Sequence, residues 1–110
     1  MTVSTDRMEK GLRYMAETDV QFGMLKALVS DLENRIKVEE AQGIIGNKGA
    51  GAQDIVKSLA RTSDGYKRLL DEHYQILMEL EIMAAKRKTE EILIDAWRSL
   101  NANQRKGNLT

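Results

Sequence analysis

The sequence contains no cysteine and no proline, a single histidine, and aromatic residues that make up 5% of the chain. Without cysteine the chain has no disulfide, no thiol nucleophile and no cysteine-ligated zinc site. Without proline nothing forces a helix to break, and one histidine cannot supply a catalytic histidine pair. These absences exclude the usual thiol and zinc chemistries and favour long, uninterrupted helices.

An excess of charge of one sign is also lacking, since 17 basic residues balance 17 acidic residues. A balanced chain has no general attraction for nucleic acid, because affinity grows with the number of phosphates neutralised. No stretch approaches the roughly 18 apolar residues of a membrane-spanning helix, and the N-terminal segment lacks the apolar core of a signal peptide. We therefore expect a cytoplasmic protein without a membrane partner.

The apolar residues that are present recur with helical spacing. In the first half they return every seven positions from Met8 until the pattern ends near Ala41, which predicts one helix over about 5–42. Thr5 is the expected N-cap of this helix. A second stripe predicts another long helix over about 63–106, capped by Thr62 or Ser63 and ended by Gly107.

Between these helices, the segment 43–51 holds a cluster of glycines and predicts a loop, and 52–61 predicts a short helix. The whole chain, 1–110, is thus expected to form one all-α helical-hairpin domain. Two amphipathic helices cannot cover such wide apolar stripes, so we predict a homo-oligomeric helical bundle or coiled coil. The residues expected in the oligomer seam are Met15, Phe22, Leu25, Val29, Leu32, Ile36, Leu69, Ile76, Leu80, Met83, Ile94 and Trp97.

The second stripe is interrupted by two charged residues, Arg87 and Glu90. In an antiparallel hairpin both would lie opposite residues 17–19, where the first helix also loses its apolar repeat. We interpret this level as a polar layer that sets the register of the two helices. Trp97, near the open end of the hairpin, either fills the terminal layer of the core or anchors a partner protein.

No catalytic, cofactor-binding or metal-binding set emerges from the sequence. The glycine cluster resembles a phosphate-binding loop, but Lys48 is followed by Gly49 where the motif needs serine or threonine, and no strand is predicted before it. His73 has no glutamate three residues before or after it, as a carboxylate-bridged metal bundle would require. The protein is therefore expected not to be an enzyme and to bind no small-molecule substrate.

Basic residues gather towards the C-terminus, and they are the residues best suited to a nucleic-acid or partner contact. They are Lys86, Lys88, Arg98, Arg105 and Lys106. Such cations can bind phosphates, as in single-stranded DNA. The alternative is a solvated helix face whose cations match the helix dipole.

Three segments, 14–19 (YMAETD), 60–66 (ARTSDGY) and 96–107 (AWRSLNANQRKG), resemble a group of small bacteriophage helical-hairpin proteins. The resemblance implies an accessory role near phage DNA recombination and replication, with no family site to carry over. The sequence thus favours a non-enzymatic oligomeric helper in DNA metabolism that binds DNA or a recombination protein in the host cytoplasm. The alternatives are an inhibitor or regulator of a host defence factor, or a structural or assembly protein.

Overall fold

The computed structural model describes residues 2–108, with side chains as far as residue 105. The described part of the chain is helical and contains no strand. Two long helices, α1 (Thr5–Gly46) and α3 (Asp64–Asn108), flank the short α2 (Gln53–Arg61). The predicted all-α class with two long helices is confirmed.

The ends of the helices differ from the prediction. α1 continues past residue 42 to Gly46, and α3 includes Gly107, which was expected to end it. Both differences have one physical reason: a glycine ends a helix when it takes left-handed geometry, and inside a helix it costs only about 1 kcal/mol. In the described chain, left-handed backbone occurs instead at Gly49 (φ +95°) and Gly51 (φ +150°), both in the connection 47–52.

Hydroxyl side chains cap the long helices. The Ser4 hydroxyl accepts a hydrogen bond from the backbone N–H of Arg7 (3.1 Å), so α1 is capped one residue before the predicted Thr5. At the start of α3, the Ser63 hydroxyl accepts from the backbone N–H of Tyr66 (3.2 Å). Of the two predicted candidates Ser63 is therefore the cap, while the Thr62 hydroxyl donates back to α2.

The chain divides into two compact units. Unit 1 comprises the residues up to Gly23 and those from Glu81 onward. Its core is formed by Val3, Met8 and Ile94, with Trp97 and three other apolar side chains packed against them. α1 and α3 run antiparallel in this unit, as the pairing of Arg7 with Glu90 and of Asp19 with Arg87 requires.

Unit 2 comprises Met24–Leu80 and includes α2. The buried side chains of this unit lie on α1 and α2 and are Leu25, Val29, Leu32, Val56 and Ala60. The inward-facing residues of α3 are half-buried. α1 and α3 are antiparallel here as well, because Glu33 lies beside His73 while the later Glu39 approaches the earlier Gly65.

Within unit 2, α2 packs closely against the last turns of α1 at Gly43. A Cβ atom added there would lie 2.8 Å from the Cβ of the fully buried Ala60, and Arg61 pairs with Glu40 nearby (3.1 Å). Gly43 therefore allows the two backbones to approach. The sequence prediction interpreted it as a helix breaker because close approach between distant residues leaves no trace in local composition.

We expect Gly43→Ala to lower the free energy of unfolding by about 1–2 kcal/mol, because overpacking against Ala60 exceeds the gain in helix propensity. Gly46→Ala is the matched control, since nothing lies within 4 Å of its added Cβ. That variant should raise the stability by up to about 1 kcal/mol. Urea titrations followed by circular dichroism measure both, and equal effects of the two changes would contradict the close approach.

Candidate functional site

The geometry of the glycine-rich connection differs from that of a phosphate-binding loop. A helix, α1, precedes it where the motif needs a strand, and Lys48 is exposed. The Asn47 side-chain amide donates to the Gly43 carbonyl (2.7 Å) and so continues the end of α1. The start of the connection is therefore bonded to the last turn of α1.

His73 is half-buried in unit 2, and its Nε2 lies 3.5 Å from Oε1 of the exposed Glu33. Across the described residues, no three or more histidine, aspartate or glutamate side chains gather closely enough to hold a metal ion. His73 thus belongs to the packing between α1 and α3 and to one surface contact with a carboxylate.

A polar layer crosses unit 1 at Arg87. Its Nη1 donates hydrogen bonds to the Thr18 hydroxyl (2.6 Å) and the Met15 carbonyl (3.0 Å), and its Nη2 pairs with Asp19 (2.6 Å). The guanidinium also lies over the Phe22 ring, 4.8 Å from its centre. The predicted position of Arg87 opposite residues 17–19 is confirmed by these contacts.

Glu90, the other charge of the predicted layer, lies elsewhere. Its two carboxylate oxygens accept two hydrogen bonds from Arg7, both 2.6 Å long. These bonds hold the pKa of the Glu90 carboxyl below its ordinary value, against partial burial that raises it, and they raise the pKa of Arg7. The prediction that Glu90 faces residues 17–19 is wrong, because Gly11 leaves room for the carboxylate and the long Arg7 side chain reaches it.

The predicted phosphate-contacting residues do not share one surface. Those with described side chains are all exposed: Lys86, Lys88, Arg98 and Arg105. At 100° per residue, Arg98 and Arg105 share a side of α3, whereas Lys86 and Lys88 lie about 160° apart around the helix. Lys88 is 3.7 Å from Glu91 and Arg98 is 3.9 Å from Asp95. The side chain of Lys106 lies outside the described residues.

The seam positions chosen from the sequence all turn away from solvent. Leu25, Val29, Leu32 and Ile94 are buried. The half-buried ones are Met15, Phe22, Ile36, Leu69, Ile76, Leu80, Met83 and Trp97. Trp97 packs against the core of unit 1, which agrees with the core interpretation of this residue. A role of these positions between chains stays a prediction.

A second set of apolar residues lies on the surface, where the sequence analysis did not place them. In unit 2 the large apolar side chains that stay exposed are Met24, Leu28, Val38, Ile45, Ile55, Leu59, Leu70, Tyr74 and Met78. Leu70, Tyr74 and Met78 follow one another at four-residue intervals along α3. That interval was visible in the sequence but lies outside the heptad stripe, so it was not assigned to a surface.

One groove of unit 2 has an apolar floor and charged rims, and its volume is about 310 Å³. The floor is formed by Leu28, Leu32 and Ile76. Arg35 stands on the α1 side, while Asp71 and Glu72 stand on the α3 side. Gln75 completes the lining. An apolar floor between polar and charged side chains can receive another helix surface more readily than a small polar ligand.

Within the described residues, no helix has an apolar stretch long enough to cross a bilayer. The exposed apolar side chains are interspersed with charged residues along α1 and α3. This arrangement suits contact with another protein surface, whose rim is usually polar. No protein-family model, curated protein or solved structure matches this chain.

Proposed function

We propose that this protein is a non-enzymatic helical protein that works by binding other protein chains, beginning with copies of itself. The observation that carries the proposal is the set of large apolar side chains left exposed on α1, α2 and α3 of unit 2. Burial of apolar surface contributes about 25 cal/mol per Å² removed from water. Association that covers these exposed side chains is therefore favourable.

The resemblance to phage accessory proteins suggests the setting: a helper in DNA recombination or replication whose partner is a recombination protein or DNA. A regulator that occupies a host protein, or an assembly protein, would use the same exposed apolar side chains. Direct contact with single-stranded DNA is favoured by Arg98 and Arg105, which share an exposed side of α3. The balanced net charge and the neighbouring Asp95 favour a protein partner over DNA.

Light scattering over a dilution series tests self-association. At micromolar concentration we expect a mass of at least twice the 12.4 kDa of one chain, falling on dilution. A mass of 12.4 kDa at every concentration would contradict the proposal.

A gel shift near 50 mM salt tests DNA binding, with the variant Arg98→Ala/Arg105→Ala compared with the wild type. Equal binding by both proteins would show that this side of α3 does not contact DNA.

A further inference from the structure

We propose that the groove of unit 2 receives a second copy of this chain, with Arg35 of each copy lying beside Asp71 and Glu72 of the other. The inference rests on the proposed self-association and names the surface and symmetry that produce it. The two copies are related by a two-fold axis that runs parallel to α1 and α3 of this unit. Three features of the groove lead to this arrangement.

The first feature is the uneven burial of the groove floor. Leu32 is 2% exposed and is therefore already packed within its own chain, whereas Leu28 beside it remains 40% exposed. Ile76 reaches the same floor from α3 and is half-buried. A second apolar surface placed on the groove would remove Leu28 and Ile76 from water without changing the packing around Leu32.

The second feature is the separation of charge between the two rims. The α1 rim contributes a guanidinium at Arg35 and the α3 rim contributes two carboxylates, Asp71 and Glu72. Arg35 also pairs with Asp31 one turn earlier (2.9 Å), but both side chains of that pair are largely exposed. Such a surface pair contributes little, so the guanidinium can turn to carboxylates across an interface.

The third feature is that the opposite charges stand at the same level along the helices. Glu33 on α1 lies beside His73 on α3. Because the two helices are antiparallel, Arg35, two residues further along α1, is level with Asp71. A positive and a negative rim that face each other at one level are the condition for a self-complementary surface.

Symmetry then selects the axis. Rotation about an axis parallel to the helices puts α1 of each copy on α3 of the other at the same level, so Arg35 meets Asp71 and Glu72 twice. Rotation about an axis across the helices puts α1 on α1 and α3 on α3, so that rims of like charge face each other. Facing rims of like charge repel each other, so the charges favour the first arrangement over the second. The first gives four helices whose neighbours are all antiparallel.

Charge reversal with mixing tests the surface. Arg35→Glu puts carboxylates on both rims, and the double change Asp71→Lys/Glu72→Lys puts cations on both. Each variant alone should dimerise at least about tenfold more weakly than the wild type, because the like-charge contact occurs twice. In a mixture of the two, the introduced glutamate of one copy meets the introduced lysines of the other, and the retained Arg35 meets the retained acids. The mixed dimer should therefore form with a Kd close to that of the wild type.

Lys37→Glu is the matched control, since it changes charge equally on α1 and lies about 200° round the helix from Arg35. It should leave the Kd unchanged. Circular dichroism verifies that each variant remains helical. If Arg35→Glu does not, Arg35→Gln replaces it, and if the lysine variant does not, Asp71→Asn/Glu72→Gln replaces it; each milder change should weaken the dimer, but by less.

The outcomes separate this inference from the proposed function. If the wild type stays at 12.4 kDa, both are wrong. In a second outcome the wild type assembles, but the charge-reversed variants dimerise with the wild-type Kd, or their mixture does not recover that Kd. In either case self-association is supported, but the groove is not the surface through which it occurs. Weakening of each variant with recovery in the mixture supports the groove, because contacts within one chain cannot be restored by another chain.

Discussion

Leu32→Asp is expected to unfold unit 2 and to abolish self-association at the same time. Of the described residues, Leu32 is the most deeply buried large side chain, at 2% exposed, and it is packed where α1 faces α3. A carboxylate at this position would have no partner, which costs several kcal/mol after relaxation. That loss is comparable with the roughly 5–15 kcal/mol that stabilises a whole small domain.

The measurement is the helical signal in circular dichroism during thermal and urea unfolding, with light scattering on the same samples. Val38→Asp is the control, because Val38 lies on the same helix and is 54% exposed. Its free energy of unfolding should change by less than about 1 kcal/mol. A Leu32→Asp variant as stable as Val38→Asp would show that the α1 stripe is not the core of this unit.

Arg87→Ala is expected to lower the free energy of unfolding of unit 1 by about 2–3 kcal/mol. The change removes the hydrogen bonds to the Thr18 hydroxyl and the Met15 carbonyl and leaves the Phe22 ring without the group that covers it. The pairing with Asp19 contributes less, since that carboxylate is largely exposed and screened by water. The Arg87 side chain itself is 13% exposed, so most of the loss comes from a sheltered contact.

Two further variants serve as comparisons for Arg87→Ala. Lys86→Ala, at the exposed neighbouring position, should change the stability by less than about 0.5 kcal/mol. Arg87→Lys keeps the charge but cannot direct one planar fork at Thr18 and Asp19 together, so an intermediate loss of about 1–2 kcal/mol is expected. Urea titrations decide the order. If Arg87→Lys is as stable as the wild type, a positive charge alone suffices and the fork geometry is irrelevant.

The helices themselves followed from local patterns. A seven-residue apolar repeat places one side of α1 against a neighbour whatever that neighbour is, so residues such as Val29 and Leu32 could be assigned to the interior from spacing alone. The level of Arg87 opposite Thr18 and Asp19 could also be predicted, since two interruptions of two stripes have to meet when long helices are antiparallel. Both inferences use periodicity, which the sequence records directly.

The errors share a different origin. Gly43 inside α1 and Glu90 bound to Arg7 depend on which distant backbone or side chain comes within a few ångströms. The charged rims of the unit 2 groove depend in the same way on the level of Arg35 relative to Asp71. Composition and spacing along one helix contain no information about these distances.

The sequence by itself therefore determined the helical class, the two long helices and the side of each helix that turns inward, because these follow from propensity and period. Packing decided where α1 ends, which charges pair and which apolar side chains remain exposed. Those outcomes depend on side-chain reach and close contact between residues far apart in the chain, and they exist only once α1, α2 and α3 are in place.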